Sequence, residues 1–511
     1  GPVIVALDGL SWNVSSVEMI KTAFKRAGRR HDESAELENG YKIVDMPDML
    51  DQLWDDRPAV PVSPVITLGD DLTGESRQSK IASIRRFLEE VDCDSILFTA
   101  LDEIAWTLNV RGSDVEYNPV VISYLLVTND DVCWFVKKPM VGKADSETLS
   151  SFAELEADGV MIRPYDDVEL VFSGADCTEL RHLYVDPATL NWHLYKAMAS
   201  SSVKVKAGVS PIPLRKAVKN EIEISGMREA HLEDGLAMEK FLFWLETEMA
   251  SGAEIDEWDA AVKLDSLRAQ IPGYRGNSFE TISAYGPSAA LPHYVTHEVG
   301  SRKLEPRGLY LCDSGGQYLF GTTDITRTVP LGPCTDLEKE DYTLVLKGHI
   351  GLATAMFPAG TSGSQIDYAA RSPLWKFKRD FGHGTGHGVG FFLNVHEGPQ
   401  EIRHNFNSQP LLPGMISSDE PGLYREGMHG IRHENLLLCT DAGTNEFGSW
   451  RCFENLTLCH IDTAPVITDL LTDEEMAWLN AYNAEVYATL APHLPEDVAE
   501  WLKTKTLPIS E

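Results

Sequence analysis

The stretch YLCDSGGQYLFGTTDITRTV (residues 310–329) places Asp313 and Asp324 eleven positions apart. Asp313 ends an apolar run and precedes two glycines, and Asp324 precedes a second apolar run. This pattern predicts two antiparallel strands around a glycine-containing turn, which would bring the two carboxylates together. Two adjacent carboxylates need a proton or a cation between them. The stretch by itself leaves two interpretations open. The aspartates form either a metal-binding pair or two unrelated turn residues.

The composition predicts a soluble globular protein. A length of 511 residues predicts about two to four domains. The hydrophobic content of 43% and the charged content of 24% are ordinary, and no run approaches the roughly 18 apolar residues of a membrane span. A net charge of −34 disfavours a nucleic-acid partner, whose phosphates would be repelled, and is compatible with cation binding.

The N-terminus suggests that the chain has been cleaved, and the cysteines indicate its cellular compartment. The chain begins Gly1-Pro2 without Met and shows no signal peptide, so we expect a cleavage scar and a natural N-terminus further upstream. The eight cysteines are sparse for this length, and none forms a CxxC pair. This usage predicts reduced thiols in a cytosolic protein.

Strand and helix patterns divide the chain into three units. Residues 1–60 hold a predicted strand at 3–7 and a predicted helix at 17–27 and are too short for a complete α/β domain. The segment 57–64 carries three prolines and is a candidate linker. Residues 61–212 alternate strands with helices, which predicts an α/β domain. The patterns of that unit are helices 75–91 and 101–108 and strands 95–99, 120–127, 132–136, 183–185 and 203–205. The polar residues 129–131 between two of these strands predict a hairpin. In residues 213–511 the predicted elements are helices 218–249, 342–356 and 474–490, with strand-like segments at 281–329 and after 381.

The segment FGHGTGHGVG (residues 381–390) carries His383 and His387 four positions apart. This spacing suggests a zinc-binding helix, but the intervening glycines and the lack of a following glutamate argue against one. The glycines instead predict a turn whose backbone approaches other groups closely. A lone histidine here would more often be structural. A third histidine, His396, lies within fourteen positions and favours a functional site.

Two glutamates occupy comparable positions further along the chain. Glu420 lies in SDEPGLY (residues 418–424), and Glu434 lies in GIRHEN (residues 430–435) next to an apolar run. A glutamate at the edge of a buried strand needs a partner. By itself, each glutamate is most simply interpreted as a surface residue or a member of a salt bridge. Only the combination of these glutamates with the aspartates and histidines is unusual.

These residues in this order resemble the five ligands of the dinuclear "pita-bread" metallopeptidases. The matching positions are Asp313, Asp324, His387, Glu420 and Glu434. The surrounding segments DSGGQY, GTTDITRTV, HGTGHGVG, NVHEGP, DEPGLY and IRHEN are similar to those of X-prolyl aminopeptidase, also called aminopeptidase P. The earlier segments TALDEIAW and NVRGSDVEYNPV resemble its three-domain, cytosolic eukaryotic-type branch. The likeness runs from about residue 54 to the end of the chain.

The resemblance implies an α/β (α+β) fold with creatinase-like N-terminal domains and a pita-bread catalytic domain. Residues 1–60 would be the C-terminal fragment of a truncated first creatinase-like domain. Residues 61–212 would form the second, and residues 213–511 the catalytic domain. The resemblance also implies a cytoplasmic homodimer, whose assembly and activity a shortened first domain could alter.

The resemblance also implies how two divalent cations are held. Asp313 would bind one cation, His387 and Glu420 the other, and Asp324 and Glu434 would bridge them. Without cations, each close carboxylate pair would repel by about 4 kcal/mol at 4 Å with an effective dielectric constant near 20. Oxygen-rich ligation with a single imidazole favours Mn²⁺ and leaves Zn²⁺ and Co²⁺ open.

The implied reaction releases the N-terminal residue from a peptide whose second residue is proline. A hydroxide bridging the two metals would attack the peptide carbonyl, and Glu420 would accept the proton of the water. His293 and His396 would contact the substrate and stabilise the oxyanion, and His383 would line the proline subsite. Two further substrate-site residues are implied, Arg432, which orients the site, and Tyr424.

Two alternatives belong to other classes of activity. A prolidase has the same fold and metal pattern but cleaves only X-Pro dipeptides. A non-catalytic binding module on the pita-bread fold would usually have lost metal ligands, whereas all five are present here. Peptides with proline at the second position are the expected partners, and no nucleic acid or membrane partner is expected.

Overall fold

A computed structural model describes residues 1–34, 36–46, 50, 53–138, 145–172 and 180–510. The chain divides into two compact units, Gly1–Pro213 and Leu214–Glu511. This division lies next to the predicted boundary between residues 212 and 213. Within the first unit, Leu7 and Tyr41 share one hydrophobic cluster with Leu97 and Val185. The predicted boundary at residue 60 therefore crosses a common core, and the domain limits stay predictions.

The first unit is a mixed α/β structure. Its sheets have the orders β1-β3-β2, β11-β10-β5-β7-β8-β9 and β4-β6. The strands are β1 (Val3–Leu7), β2 (Arg30–His31), β3 (Gly40–Asp45), β4 (Ile66–Thr67), β5 (Ser95–Phe98), β6 (Val110–Arg111), β7 (Ser123–Thr128), β8 (Val132–Val136), β9 (Val160–Pro164), β10 (His182–Val185) and β11 (Lys204–Ala207). The helices are α1 (Val14–Arg26), α2 (Asp70–Thr73), α3 (Arg77–Glu90), α4 (Leu101–Leu108), α5 (Ser146–Ala157) and α6 (Trp192–Ala199), with a 3-10 turn at Tyr165–Val171.

The six-stranded sheet of the first unit follows from its apolar runs. Every residue of β5, β7 and β8 is buried, as expected for strands covered on both faces. The predicted hairpin is confirmed, since β7 and β8 pair antiparallel around residues 129–131. Helix α1 begins before the predicted residue 17 because the Asn13 side chain accepts a hydrogen bond from Ser16 N and caps it.

The second unit holds the remaining elements. Its helices are α7 (Ile212–Ala217), which contains the junction, α8 (Glu221–Ser251), α9 (Glu257–Arg268), α10 (Asp336–Ala353), α11 (Gly363–Lys376), α12 (Asp473–Leu490) and α13 (Glu496–Lys505). Its strands are β12 (Tyr274–Asn277), β13 (Ile282–Tyr285), β14 (Leu309–Ser314), β15 (Gly316–Tyr318), β16 (Gly321–Thr322), β17 (Ile325–Pro330), β18 (Phe357–Pro358), β19 (Gly386–Gly388), β20 (Glu397–Ile402), β21 (Ile416–Asp419), β22 (Gly422–Arg425), β23 (His429–Arg432), β24 (Asn435–Asn445) and β25 (Gly448–Asn455). The sheet orders are β12-β15-β16, β13-β14-β17, β18-β25-β24-β21-β19-β20 and β22-β23. Among the described residues, none of the helices combines the length and apolar character that a membrane span requires.

The predicted antiparallel pair around the two aspartates is confirmed. Strands β14 and β17 pair with Asp313 opposite Thr326, and Asp324 lies directly before β17. The short hairpin β15–β16 occupies the connection between them. Gly315 is required at its start, because a Cβ atom there would lie 2.0 Å from the carbonyl oxygen of Thr323. The glycine thus lets the chain turn tightly enough to bring both carboxylates to one end of the pair.

One predicted helix of the second unit needs correction, and the helices α9, α11 and α13 were not predicted. Helix α10 spans Asp336–Ala353, whereas residues 342–356 were predicted, because Thr335 and Glu338 form a capping box that starts the helix earlier. The residues after it enter β18 instead of continuing the helix. Helix α13 follows Pro495. Seven cysteines are unpaired, and Cys177 lies outside the described residues.

Candidate metal centre

A cavity of about 450 Å³ in the second unit contains most of the predicted site residues. All five predicted metal ligands line it. The other predicted residues on its wall are His293, His383, His396 and Arg432. Residues separated by more than a hundred positions in sequence therefore meet in one cavity.

The ends of neighbouring strands deliver the five candidate ligands. They are Asp313 on β14, Asp324 before β17, His387 on β19, Glu420 after β21 and Glu434 before β24. The strand β19 lies beside β21, with Gly388 opposite Ser417. This close approach requires Gly386, since a Cβ atom there would lie 1.9 Å from the carbonyl oxygen of Ser418. The predicted turn in the glycine-rich segment is thus a bend followed by a three-residue strand, and no helix forms.

The His387 imidazole is oriented toward the carboxylates. Its Nδ1 lies 3.0 Å from the carbonyl oxygen of Gly388 and donates to it, because a carbonyl can only accept. The Nε2 atom lies 3.4 Å from Asp324 Oδ2 and 3.5 Å from Glu420 Oε1. The ligand atoms of Asp324, His387 and Glu434 all lie within 4.8 Å of one another. This is the spacing expected of side chains that share a cation.

Arg432 organises the other side of the centre. Its Nη2 donates to Asp313 Oδ2, its Nε to Thr326 Oγ1 over 3.1 Å, and its Nη1 to Tyr424 OH over 2.7 Å. Thr326 Oγ1 in turn donates to Glu434 Oε2 over 2.7 Å. The second oxygen of Asp313, Oδ1, is buried without a hydrogen-bond partner among the described residues. Asp313 therefore keeps one free lone-pair site for a ligand.

Burial and crowding raise the pKa values of Glu434, Glu420 and Asp313. Desolvation, reinforced by repulsion from the neighbouring carboxylates, raises the pKa of Glu434 well above its ordinary value. Desolvation also raises the pKa of Glu420, to about 7, although His387 and Arg432 oppose the rise. Burial raises the pKa of Asp313 against the opposing charge of Arg432.

The His387 imidazole responds in the complementary direction. Burial lowers its pKa, but the hydrogen bond to Asp324 and the charge of Glu420 outweigh burial and raise it to about 9. Among the described cavity residues, the positive partners of the four carboxyl groups are thus Arg432 and His387, since Arg403 pairs with Glu401. The donor set fits two divalent cations, because four carboxylates and an imidazole balance their charge and supply the oxygen-rich ligation that Mn²⁺ accepts. The free Asp313 oxygen supports this fit.

His383 is held neutral by its surroundings. Its Nδ1 donates to the carbonyl oxygen of Gly384 over 2.7 Å, and its Nε2 lies 2.8 Å from Tyr424 OH. Burial, together with the charge of Arg432, lowers the pKa of His383 to about 4. The hydrogen bonds therefore run in one direction, from the guanidinium of Arg432 to Tyr424 and from Tyr424 to His383. Tyr424 lies behind the cavity wall and acts through these two side chains.

The other two predicted histidines face the cavity from separate segments. The ring centroid of His396 lies 4.2 Å from that of His387, edge to face. Burial and the charge of His387 lower the pKa of His396, so this imidazole is also neutral. His293 lies on the cavity wall beside Pro292.

The structure adds five cavity residues that no motif indicated. They are Phe279, Ile282, Pro292, Glu401 and Arg403. Ile282 lies directly opposite Asp313 in the β13–β14 pair, so only strand pairing could have identified it. Glu401 and Arg403 form an ion pair of 3.3 Å at half-exposed positions and carry no distinctive sequence pattern.

Three family models match consecutive parts of the chain. Residues 56–223 match a creatinase/prolidase N-terminal domain. Residues 225–441 match metallopeptidase family M24, and residues 449–509 match the C-terminal region of peptidase M24. The metal-centre residues all lie within the M24 match.

Individual relatives extend over nearly the whole chain. Aminopeptidase P1 of Arabidopsis thaliana is 38% identical over 521 residues, covering 92% of this chain and 80% of the plant protein. A probable Xaa-Pro aminopeptidase P of Talaromyces marneffei is 38% identical over 501 residues, covering 94% and 75%. The structure of an X-prolyl aminopeptidase of Caenorhabditis elegans, described as a cytosolic enzyme with a di-nuclear active site, matches with a TM-score of 0.88 at 36% identity, covering 99% of this chain and 81% of the nematode chain.

Proposed function

This chain belongs to the Xaa-Pro aminopeptidases of metallopeptidase family M24, and on that premise we propose that it releases the N-terminal residue from peptides whose second residue is proline. The observation that carries the proposal is the convergence of five ligand-type side chains and three histidines on one cavity. The enzyme is a metal-dependent exopeptidase. Two divalent cations bound there would act as Lewis acids and acidify water at neutral pH.

The ligand set would hold these cations as the sequence predicts. Asp313 would bind one cation, His387 and Glu420 the other, and Asp324 and Glu434 would contact both. Hydrogen bonds from the protein support these roles, since Gly388 fixes the His387 tautomer and Thr326 orients Glu434. Partners of this kind hold ligands in their binding orientation.

Glu420 is the proposed proton acceptor of the reaction. It lies on the cavity, and Ser418 Oγ donates to its Oε1 over 3.3 Å. Of the two candidate ligands that the His387 imidazole approaches, Glu420 is the more exposed, with 19% of its side chain accessible against 5% for Asp324. An accessible carboxylate oxygen can receive the proton of the attacking water and return it to the leaving amine.

The three histidines outside the ligand set would position the peptide. His396 and His293 would donate hydrogen bonds to the carbonyl oxygen that becomes negative during attack. His383 would line the proline subsite, with its ring fixed by Gly384 and Tyr424. The ring of Phe381 also packs against His383, with the ring centroids 4.9 Å apart.

Several finer features belong to the same proposal. Mn²⁺ is the expected cation, from the oxygen-rich ligand set. Cytoplasmic location and homodimer formation are proposed from the resemblance, and location is also supported by the description of the nematode relative. The limits 1–60, 61–212 and 213–511 are the proposed domains.

Two peptide lengths test this function directly. We expect the enzyme to release Arg from Arg-Pro-Pro peptides in the presence of Mn²⁺ and to cleave the dipeptide Arg-Pro far more slowly. Asp324→Asn should abolish cleavage, because it removes a carboxylate that contacts both cations. Glu305→Gln, on an exposed residue that pairs only with Arg307, is the matched control and should leave the rate unchanged.

The opposite results are equally informative. A preference for Arg-Pro over the longer peptide would assign the chain to the prolidases. Full activity of Asp324→Asn, with an unchanged metal content, would refute the proposed ligand set.

A further inference from the structure

A second cavity lies in the catalytic unit and shares no lining residue with the metal centre. Its volume is about 180 Å³. Helix α8, the end of β17, the segment around His460 and helix α13 enclose it. Its apolar wall is formed by Leu242, Leu245, Met249, Val329, Leu331 and Trp501. An apolar cavity of about 150 Å³ is large enough to bind benzene, so this one can hold a single ring with a short substituent.

One histidine is presented to this cavity in a fixed orientation. His460 lines it, and its Nδ1 lies 2.8 Å from Glu239 Oε2, to which it donates. The backbone N–H of His460 donates to the other oxygen of Glu239 over 2.7 Å. Both side chains are 1% exposed or less. The buried carboxylate of Glu239 therefore fixes the imidazole of His460, and Nε2 is the ring nitrogen that remains available to a ligand.

Cys459 completes a trio of potential metal ligands with Glu239 and His460. A metal ion there would have to displace His460 from both Glu239 oxygens. Burial also raises the pKa of the Cys459 thiol well above its ordinary value. The arrangement therefore favours an organic ligand at His460 over a metal ion.

Acidic groups predominate around the cavity. Glu246 and Asp462 line it, and Lys505 Nζ lies 2.6 Å from Glu246 Oε2 and 3.2 Å from Asp462 Oδ2. Lys505 thus faces two carboxylates. The third carboxylate, Glu239, is opposed by Arg327, whose Nε donates to the carbonyl oxygen of His460 over 3.0 Å, so three carboxylates face two basic side chains. This excess of negative charge disfavours anionic ligands and favours a cation at the mouth.

From these features we propose that the cavity is a binding site for a small aromatic amine. The ring would fill the apolar wall next to Trp501, whose ring already lies 5.3 Å from that of His460, edge to face. The protonated amine would lie among Glu246, Asp462 and the free nitrogen of His460. Charge and size together define the ligand class, a single ring with a positively charged substituent.

A fluorinated probe tests the site without relying on peptidase activity. Binding of 4-fluorobenzylamine to the purified protein is followed by ¹⁹F NMR titration, alongside the neutral 4-fluorobenzyl alcohol and the anionic 4-fluorophenylacetate. We expect affinity to fall in the order amine, alcohol, acid. Equal affinity of the amine and the acid would overturn the proposal.

Two variants locate the bound amine. Ala250 lies on the cavity and is exposed, so Ala250→Phe should fill the mouth without disturbing the core and weaken amine binding by about tenfold or more. Glu246→Gln should weaken it by about two- to fivefold, the range of a partly exposed ion pair. Glu248→Gln, two positions along the same helix and away from the cavity, is the matched control and should bind as the unaltered protein does.

The two variants also exclude the metal centre as the binding site. Neither Ala250 nor Glu246 lines the metal cavity. Unchanged amine affinity in both Ala250→Phe and Glu246→Gln would place the probe elsewhere and refute the proposal. If Ala250→Phe does not fold, the comparison of Glu246→Gln with Glu248→Gln decides alone.

Discussion

The charge cluster around Asp341 and the metal centre both hold buried carboxyl groups in the second unit, but the negative charge is compensated in opposite ways. Asp341, fully buried, lies 2.8 Å from Arg379 Nη1 and 2.8 Å from His429 Nε2, and accepts a hydrogen bond of 3.0 Å from Arg425 Nη2. Burial raises the pKa of Asp341, but these three partners outweigh burial and lower it. One carboxylate thus has three basic neighbours.

The metal centre has the reverse proportion. Its four carboxyl groups share Arg432 and His387, and the pKa values of Glu434, Glu420 and Asp313 are raised. Both clusters are buried, so burial does not distinguish them. The difference is the number of fixed positive charges, and a deficit of such charges marks the place where the protein relies on bound cations.

The largest expected effect comes from removing a metal-centre carboxylate. Glu434→Gln should lower kcat on Arg-Pro-Pro by about a thousandfold or more, since metal ions contribute several kcal/mol of transition-state stabilisation. Initial rates, together with metal content by mass spectrometry, measure the change. A variant that keeps both metal and rate would show that Glu434 is dispensable.

Removing the carboxylate of Asp341 should affect the stability of the fold instead of the catalysed reaction. Asp341→Asn leaves three basic groups without their acidic partner and should lower the free energy of unfolding by about 3–5 kcal/mol. Urea denaturation measures it. Glu340→Gln is the neighbouring control, because Glu340 is one-third exposed and its ion pair is with Arg379, and it should cost less than about 1 kcal/mol. Equal losses in the two variants would remove the contrast between the clusters.

The single arginine of the metal centre should matter for turnover. Arg432→Lys keeps the charge but loses the planar set of donors to Asp313, Thr326 and Tyr424, and should lower kcat/KM by about 10- to 100-fold. Arg425→Lys, on the same hairpin but facing Asp341, is the control and should keep kcat/KM near its original value. A similar loss in both variants would mean that the hairpin acts only as a support.

The last expected effect is a pH dependence of the stability of the metal-free protein, spread over several pH units. The pKa of Glu420 is raised from 4.5 to about 7, so the folded form binds this proton more tightly than the unfolded form does. Stability should therefore fall as pH rises from 4.5 to about 7, by at most about 1.4 kcal/mol per pH unit for one proton. Urea midpoints of chelator-treated protein measure the slope, and Glu420→Gln should flatten it.

Asp341, with its lowered pKa, should stabilise the fold above its ordinary pKa and lose that contribution as pH falls through the lowered value.

Local sequence patterns predicted several elements well and others poorly. Strands β1 and β8 and helix α4 have the predicted limits, because apolar runs bounded by polar turns mark them clearly. Helix α10 began six residues earlier than predicted, since its first turn is polar and only the capping box shows it. Helix α13 is short and follows a proline, so its pattern was too weak to recognise.

The candidate site shows the same division. The five ligands and the three histidines could be chosen from ordered motifs, and all of them line one cavity. Ile282 and Glu401 line it too, but their positions depend on strand pairing between distant segments, which no local pattern encodes. Tyr424 contacts His383 and Arg432, and its role at the substrate stays a prediction.

The sequence by itself determined the chemical groups of this protein, their order along the chain and the family to which they point. Only the tertiary structure decided which charges face one another, so that Arg432 pairs with Asp313 while Asp341 collects Arg379, Arg425 and His429. The reason is that electrostatic energies depend on distance and burial, and both are set by packing between segments far apart in sequence.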